Sequence, residues 1–191
     1  MGRYTVISEV TQSIINILQA DLVPEPIRKK DLIAACSPGD KADIKVGLHL
    51  YDVQENGEFV NRNRIQRSSD QLQYPPMSIT LYYMLTAYSN ADPRERGIDA
   101  QRALGRCVQS LYDKAILSPD QLVGSLSDYN ESIEISRHNM TFEEKQRIWH
   151  FPNVPYQLSV FYKVAPIYVE STRIKTVKPV SNIEITMNER S

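Results

Sequence analysis

Three histidines, two cysteines and a scatter of carboxylates are the side chains of this 191-residue chain that could do chemistry. Imidazole can ligate a metal or act as a general base, thiolate can attack, and paired carboxylates can serve as acid and base. Each role needs partners at a set spacing. His49, His138 and His150 fall in separate segments with no second ligand at a recognised metal spacing, so they read as surface or packing residues. Cys36 and Cys107 belong neither to a CxxC pair nor to a catalytic-cysteine signature. Asp92, Glu95, Asp99, Asp120 and Glu131 lie in polar segments where solvation accounts for them, and nothing suggests the burial that lifts a carboxyl pKa. There is no Walker loop, GxGxxG or GxSxG, and seven glycines supply phosphate-cradling loops poorly. No catalytic residue, cofactor or metal site is expected.

What remains points to binding. Arg62, Arg64 and Arg67 cluster in a polar stretch. They read either as a solvated connection or as guanidinium forks for carboxylates of a neighbouring subunit. Beyond Val169 the tail turns basic through Arg173, Lys175 and Lys178, then alternates Ile183, Ile185 and Met187 before Arg190. It is the last strand of its own sheet or an arm that adds to another chain by β-augmentation; periodicity leaves both open.

The elements that must position these residues are legible in the patterning. From Tyr156, the residues Leu158, Val160, Tyr162 and Val164 alternate with Gln157, Ser159 and Lys163, the period of a half-buried strand. Pro166 removes a ladder donor, so this strand must bulge, bend or lie at an edge there. Ile44–Leu50, Ser78–Thr86 and Glu131–Arg137 alternate likewise, and Leu32–Cys36 reads as a short buried strand. Tyr4–Leu22 and Ile98–Ile116 carry apolar residues at helical spacing, which predicts two amphipathic helices able to cover the sheet. Gly105, inside the second, is expected to permit close approach to a strand. Ser118-Pro119-Asp120-Gln121 and Thr141-Phe142-Glu143-Glu144 read as starts of short helices, the second a capping box. Residues 61 to 76 read as one long polar loop after a turn at Asn56-Gly57. The expected fold class is α/β (α+β), a single domain with a central mixed sheet packed by two main helices.

Composition narrows the classes. With 41% hydrophobic residues, 24% charged and a net charge of −1, the chain is an ordinary globular one without the cationic excess that phosphate recognition needs. Eleven Tyr against four Phe suits partly exposed packing and interfaces. No apolar run is long enough for a transmembrane helix and no secretory signal is visible, so two small buried thiols in a reducing cytosol are expected.

Three blocks, in order, resemble a known family. They are Leu48-His49-Leu50-Tyr51-Asp52-Val53-Gln54-Glu55-Asn56 leading to Asn61-Arg62-Asn63, then Pro75-Pro76-Met77-Ser78-Ile79-Thr80-Leu81-Tyr82-Tyr83-Met84-Leu85-Thr86-Ala87-Tyr88, then Ile148-Trp149 with Pro155-Tyr156-Gln157-Leu158-Ser159-Val160-Phe161-Tyr162. Together they resemble the N-terminal domain of the cap, or tail-terminator, proteins of phage-tail-like extracellular contractile injection systems. The match runs from the first helix to about Thr172, giving a terminator-like domain over 1–172 and an extension over 173–191. The resemblance implies a ring, expected to be a homohexamer, closing the distal end of an inner tube and sheath and stopping their polymerisation. Its implied partners are further copies of itself, the tube protein and the sheath protein, with no nucleic acid and no membrane. Such a protein would sit in the cytoplasm of the producing bacterium and then in the particle. The rival readings are a tube or baseplate adaptor of the same particle, a small cytosolic enzyme, and a nucleic-acid-binding accessory protein.

Overall fold

The computed structural model describes residues 4–57, 71–127 and 132–176, and the backbone of 65–68. Helix α1 (Val6–Leu22) buries Val6, Val10, Ile14, Ile17 and Leu18 on one stripe, and Pro24 and Pro26 follow its end. A short turn leads into strand β1 (Ile33–Ala35), and Ser37-Pro38-Gly39-Asp40 turns the chain towards β2 (Val46–Glu55). Strands β3 (Ile65–Ser68) and β4 (Gln71–Gln73) precede the long β5 (Met77–Ala87). Helix α2 (Arg96–Asp113), strands β6 (Ile116–Leu117) and β7 (Ile133–Arg137), helix α3 (Phe142–Ile148), β8 (Ser159–Val169) and β9 (Ile174–Thr176) complete the order.

Among the described residues, six strands form one mixed sheet in the order β1-β2-β5-β8-β7-β6, parallel at β1–β2 and antiparallel elsewhere. The middle strands β5 and β8 are covered on both faces. Leu81, Tyr83, Leu85, Val160, Tyr162 and Val164 face the core under α1 and α2. Met84 and Phe161 face the opposite side, where Trp149 covers them. Pro166 sits where Ala165 and Pro166 together oppose Thr80, so of the bulge, bend or edge that the sequence left open the missing donor is absorbed in a bulge.

Three local expectations are corrected. The alternating strand starts at Ser159, leaving Tyr156 38% and Leu158 58% exposed. Pro155 offers no ladder N–H, and Tyr156 packs edge-on to Trp149 and Phe142 instead. The polar segment before Pro75 is not one loop: β3 and β4 pair antiparallel, and β9 pairs with β4 to make a second, three-stranded sheet. The β3–β4 pairing is local, but β9 arrives from about a hundred residues further along the chain, which no local period encodes. Gly105 is exposed and a Cβ there meets nothing within 4 Å; the close approach lies at Gly47, where a Cβ would fall 2.7 Å from Cys36 Sγ.

Asn56, at the expected turn, ties β2 to β5: its N–H donates to the Ser78 carbonyl at 2.8 Å and its Oδ1 accepts from Thr80 Oγ1 at 2.8 Å. Among the described residues, no helix is long and apolar enough to cross a membrane.

Candidate interaction surfaces

Several of the residues that could have done chemistry are used in packing. His49 lies edge-on to Phe151 with ring centroids 5.6 Å apart, and half-burial pushes its imidazole pKa down. His138 Nδ1 lies 3.1 Å from Tyr51 Oη, and burial, aided by Tyr82 and Asp52, raises the Tyr51 phenol to about 12. The Cys107 thiol is raised to about 12 by burial, and burial raises Cys36 too, so neither is a ready thiolate. Among the described residues, no three His, Cys, Asp or Glu side chains gather as a metal set.

The carboxylates that depart from ordinary behaviour are structural. Burial works to raise Glu9, yet Thr5 Oγ1 at 2.6 Å and Ser125 Oγ at 2.7 Å donate to it and hold its carboxyl below the usual value. Glu9 thereby fixes the turn around Gly124, whose φ of +65° places a Cβ 2.6 Å from the Glu9 carboxyl. Glu144 accepts from the Thr141 N–H at 2.8 Å, and that bond lowers its pKa; the capping box forms as its sequence implied.

Of the basic candidates, Arg62, Arg64 and Lys178 lie outside the described residues. The β3–β4 register shifts between Gln66 and Ser68, so Arg67 falls at an irregularity of the small sheet. Lys175 is exposed in β9 with Leu72 as its register partner. Arg173 is exposed, and its guanidinium lies 4.3 Å from the Tyr74 ring centre. The small sheet therefore carries Arg67 and Lys175 on strands either side of β4, with Arg173 entering β9.

Two surfaces were not legible as sites. One is an open groove of about 540 Å³ where β5 ends and α2 begins, with Tyr88, Ala100 and Leu104 on its floor and Lys41, Arg96 and exposed Leu158 around it. The other is the far end of α2, where Tyr112 is 81% and Ile116 65% exposed. The groove brings four separate segments together; Tyr112 lies off the apolar stripe of α2, and Ile116 belongs to β6, because the helix ends at Asp113 and not at Ile116 as the helical spacing implied.

The comparisons with known proteins follow the same architecture. The PVC sheath/tube terminator of an extracellular contractile injection system, in its extended state, superposes with a TM-score of 0.66 at 16% identity, covering 100% of this chain and 66% of that one. The tube-terminating cap of the anti-feeding prophage superposes with a TM-score of 0.66 at 14% identity, covering 93% of this chain and 60% of the cap. The chain thus spans about 60–66% of the length of these neighbours, and at such identities the likeness is one of fold. No curated protein sequence matches. A family model described as the Pvc16 N-terminal domain matches residues 9–182, nearly the whole chain, and the protein belongs to that family.

Proposed function

We propose that this protein is a structural terminator of a contractile injection system. It forms a ring, a homohexamer, that seats on the last ring of the inner tube, engages the sheath and stops both from polymerising. The observation that carries this reading is the superposition of the whole chain on a sheath/tube terminator, beside the family match over residues 9–182. A ring built from one repeated heterologous contact closes on itself and leaves no further addition site, which is what a terminator must do. The work is binding, with no reaction step, and the side chains described above are used in packing and capping.

In this reading residues 1–172 are the terminator-like domain and 173–191 an extension tethered through β9. Arg62, Arg64 and Arg67 bind carboxylates of a neighbouring cap or tube subunit, and Arg173, Lys175 and Lys178 lead the extension to sheath or neighbour. The protein is made in the cytoplasm of a bacterium and becomes part of the particle. Imaging particles made with and without it tests the reading. Uncapped tubes of irregular length are expected without it, and density at the end distal to the baseplate with it. Density at the baseplate, or normal capped lengths in its absence, would overturn the reading.

A further inference from the structure

The two ends of α2 are complementary surfaces. At its start, the groove has an apolar floor of Tyr88, Ala100 and Leu104 with Leu158 on its rim, and its charged side chains are the cations Lys41 and Arg96. Lys41 Nζ lies over the Tyr88 ring, 5.1 Å from its centre. Of the nearby carboxylates, Asp99 is engaged by Ser89 and by Lys45, at 3.9 Å, and exposed Asp40 and Glu95, the sequence neighbours of Lys41 and Arg96, do not line the groove. At the other end Tyr112 and Ile116 are exposed, exposed Asp113 follows Tyr112 at the last position of the helix, and Ile116 is the register partner of exposed Glu134. The cation next to this patch, Lys114, is turned away: its Nζ lies 2.6 Å from both Asp21 oxygens. One end is thus apolar with a basic rim, the other apolar with an acidic rim.

We propose that the Tyr112–Ile116 end of α2 docks into the Lys41–Arg96 groove of a second copy of this chain, and that this contact is the repeating interface of the ring. The inference rests on the ring reading above. An 18-residue helix is about 27 Å long, so the two surfaces of one chain cannot meet each other. The contact is heterologous, head to tail, the kind that closes a ring when the rotation between copies permits. Tyr112 supplies a large side chain with a polar tip for a pocket centre, and the charges fall at the rim, where they choose the partner and its register.

Charge reversal in the full chain tests it, read by light scattering and by imaging of capped tubes. Lys41→Glu with Arg96→Glu, and separately Asp113→Arg with Glu134→Arg, are each expected to weaken self-assembly at least tenfold. Combining all four is expected to restore it. Tyr112→Ala, at an exposed position, is expected to weaken assembly while melting within a degree or two of wild type. Rings of normal stability in every variant would overturn this interface and leave the terminator reading standing. So would loss of tube binding with the oligomer intact, which would give the groove to the tube protein, or failure of the combined variant to recover. A wild-type chain that stays monomeric and leaves tubes uncapped would overturn both.

Discussion

Lys114 Nζ lies 2.6 Å from both carboxylate oxygens of Asp21, pinning the end of α2 to the end of α1. Ser110 Oγ donates to the same carboxylate at 2.7 Å, and Arg106 Nε to the Asp21 backbone carbonyl at 3.2 Å. Burial works to raise the Asp21 carboxyl, but the bonds from Lys114 and Ser110 outweigh it and hold the pKa below its ordinary value of 3.8. Both side chains remain partly solvated, so Asp21→Asn should cost about 1–2 kcal/mol at neutral pH. A carboxyl with a depressed folded pKa stabilises above its unfolded value and loses that contribution as pH falls through the folded one. The wild-type and Asp21→Asn melting temperatures should therefore converge as pH is lowered well below 3.8. A gap that stays constant in acid would show that the ion pair contributes nothing.

His49 titrates in a higher window. Burial lowers its pKa from 6.5, so the fold favours neutral imidazole against Phe151. The stability this gives is complete above 6.5 and is lost as pH falls through the lower folded value. The single tryptophan, Trp149, lies edge-on to Phe151 with centroids 5.5 Å apart and reports the cluster by fluorescence. Melts followed at Trp149 should lose stability as pH falls below 6.5 in wild type and less so in His49→Phe, which keeps an edge contact. Identical slopes for the two proteins would remove His49 from the account.

Two glycines should respond with opposite signs. Gly105 lies in the exposed interior of α2 with open space at its Cβ, so Gly105→Ala should stabilise by about 0.5–1 kcal/mol. Gly47 faces Cys36 Sγ at 2.7 Å and the Tyr88 ring at 3.3 Å from its virtual Cβ. Gly47→Ala should destabilise by about 1–3 kcal/mol, since the Cys36 thiol and the Tyr88 ring must both shift. Denaturant midpoints at equal m decide both signs.

That pair also marks how far local pattern carried. The stripe Val6, Val10, Ile14, Ile17, Leu18 and the alternation through β5 each encode their own burial, because an element's period is written in its own residues. The Thr141–Glu144 box and the Pro166 bulge were legible for the same reason: each is a local rule about one backbone group. Gly47 and Gly105 look alike in sequence, and what separates them is Cys36 and Tyr88, supplied by other segments. Likewise the second edge of β4 is paired by β9 from far along the chain, and the groove exists because Lys41, Tyr88, Arg96 and Leu158 meet from four segments. Period alone places Leu158 in the core; an exposed leucine lining a groove with two cations is a property of the assembled surface.

The arginine cluster is tested apart from the groove. Replacing Arg62, Arg64 and Arg67 by alanine should leave the melting temperature within a degree or two, as expected of residues that serve a partner and not the fold. Capping should fall, measured as the fraction of tubes of irregular length. Normal rings and normal capped lengths would mean these residues are solvated connections.

Removing the tail needs a cut chosen from the sheet register. Deletion after Thr172 takes away β9, and with it the pairing of Gln71, Leu72 and Gln73 and the Arg173 contact on Tyr74. A loss of sheath attachment in that variant would then mix two causes, a missing arm and a small sheet with one edge opened. Deletion after Thr176 keeps β9 in place and removes Lys178 and the Ile183-Ile185-Met187 alternation. If the extension reaches sheath or neighbour, this shorter deletion should already abolish attachment while ring formation persists. If attachment survives it and fails only when β9 goes, the contact belongs to the small sheet, with Arg173 and Lys175 as its charged residues.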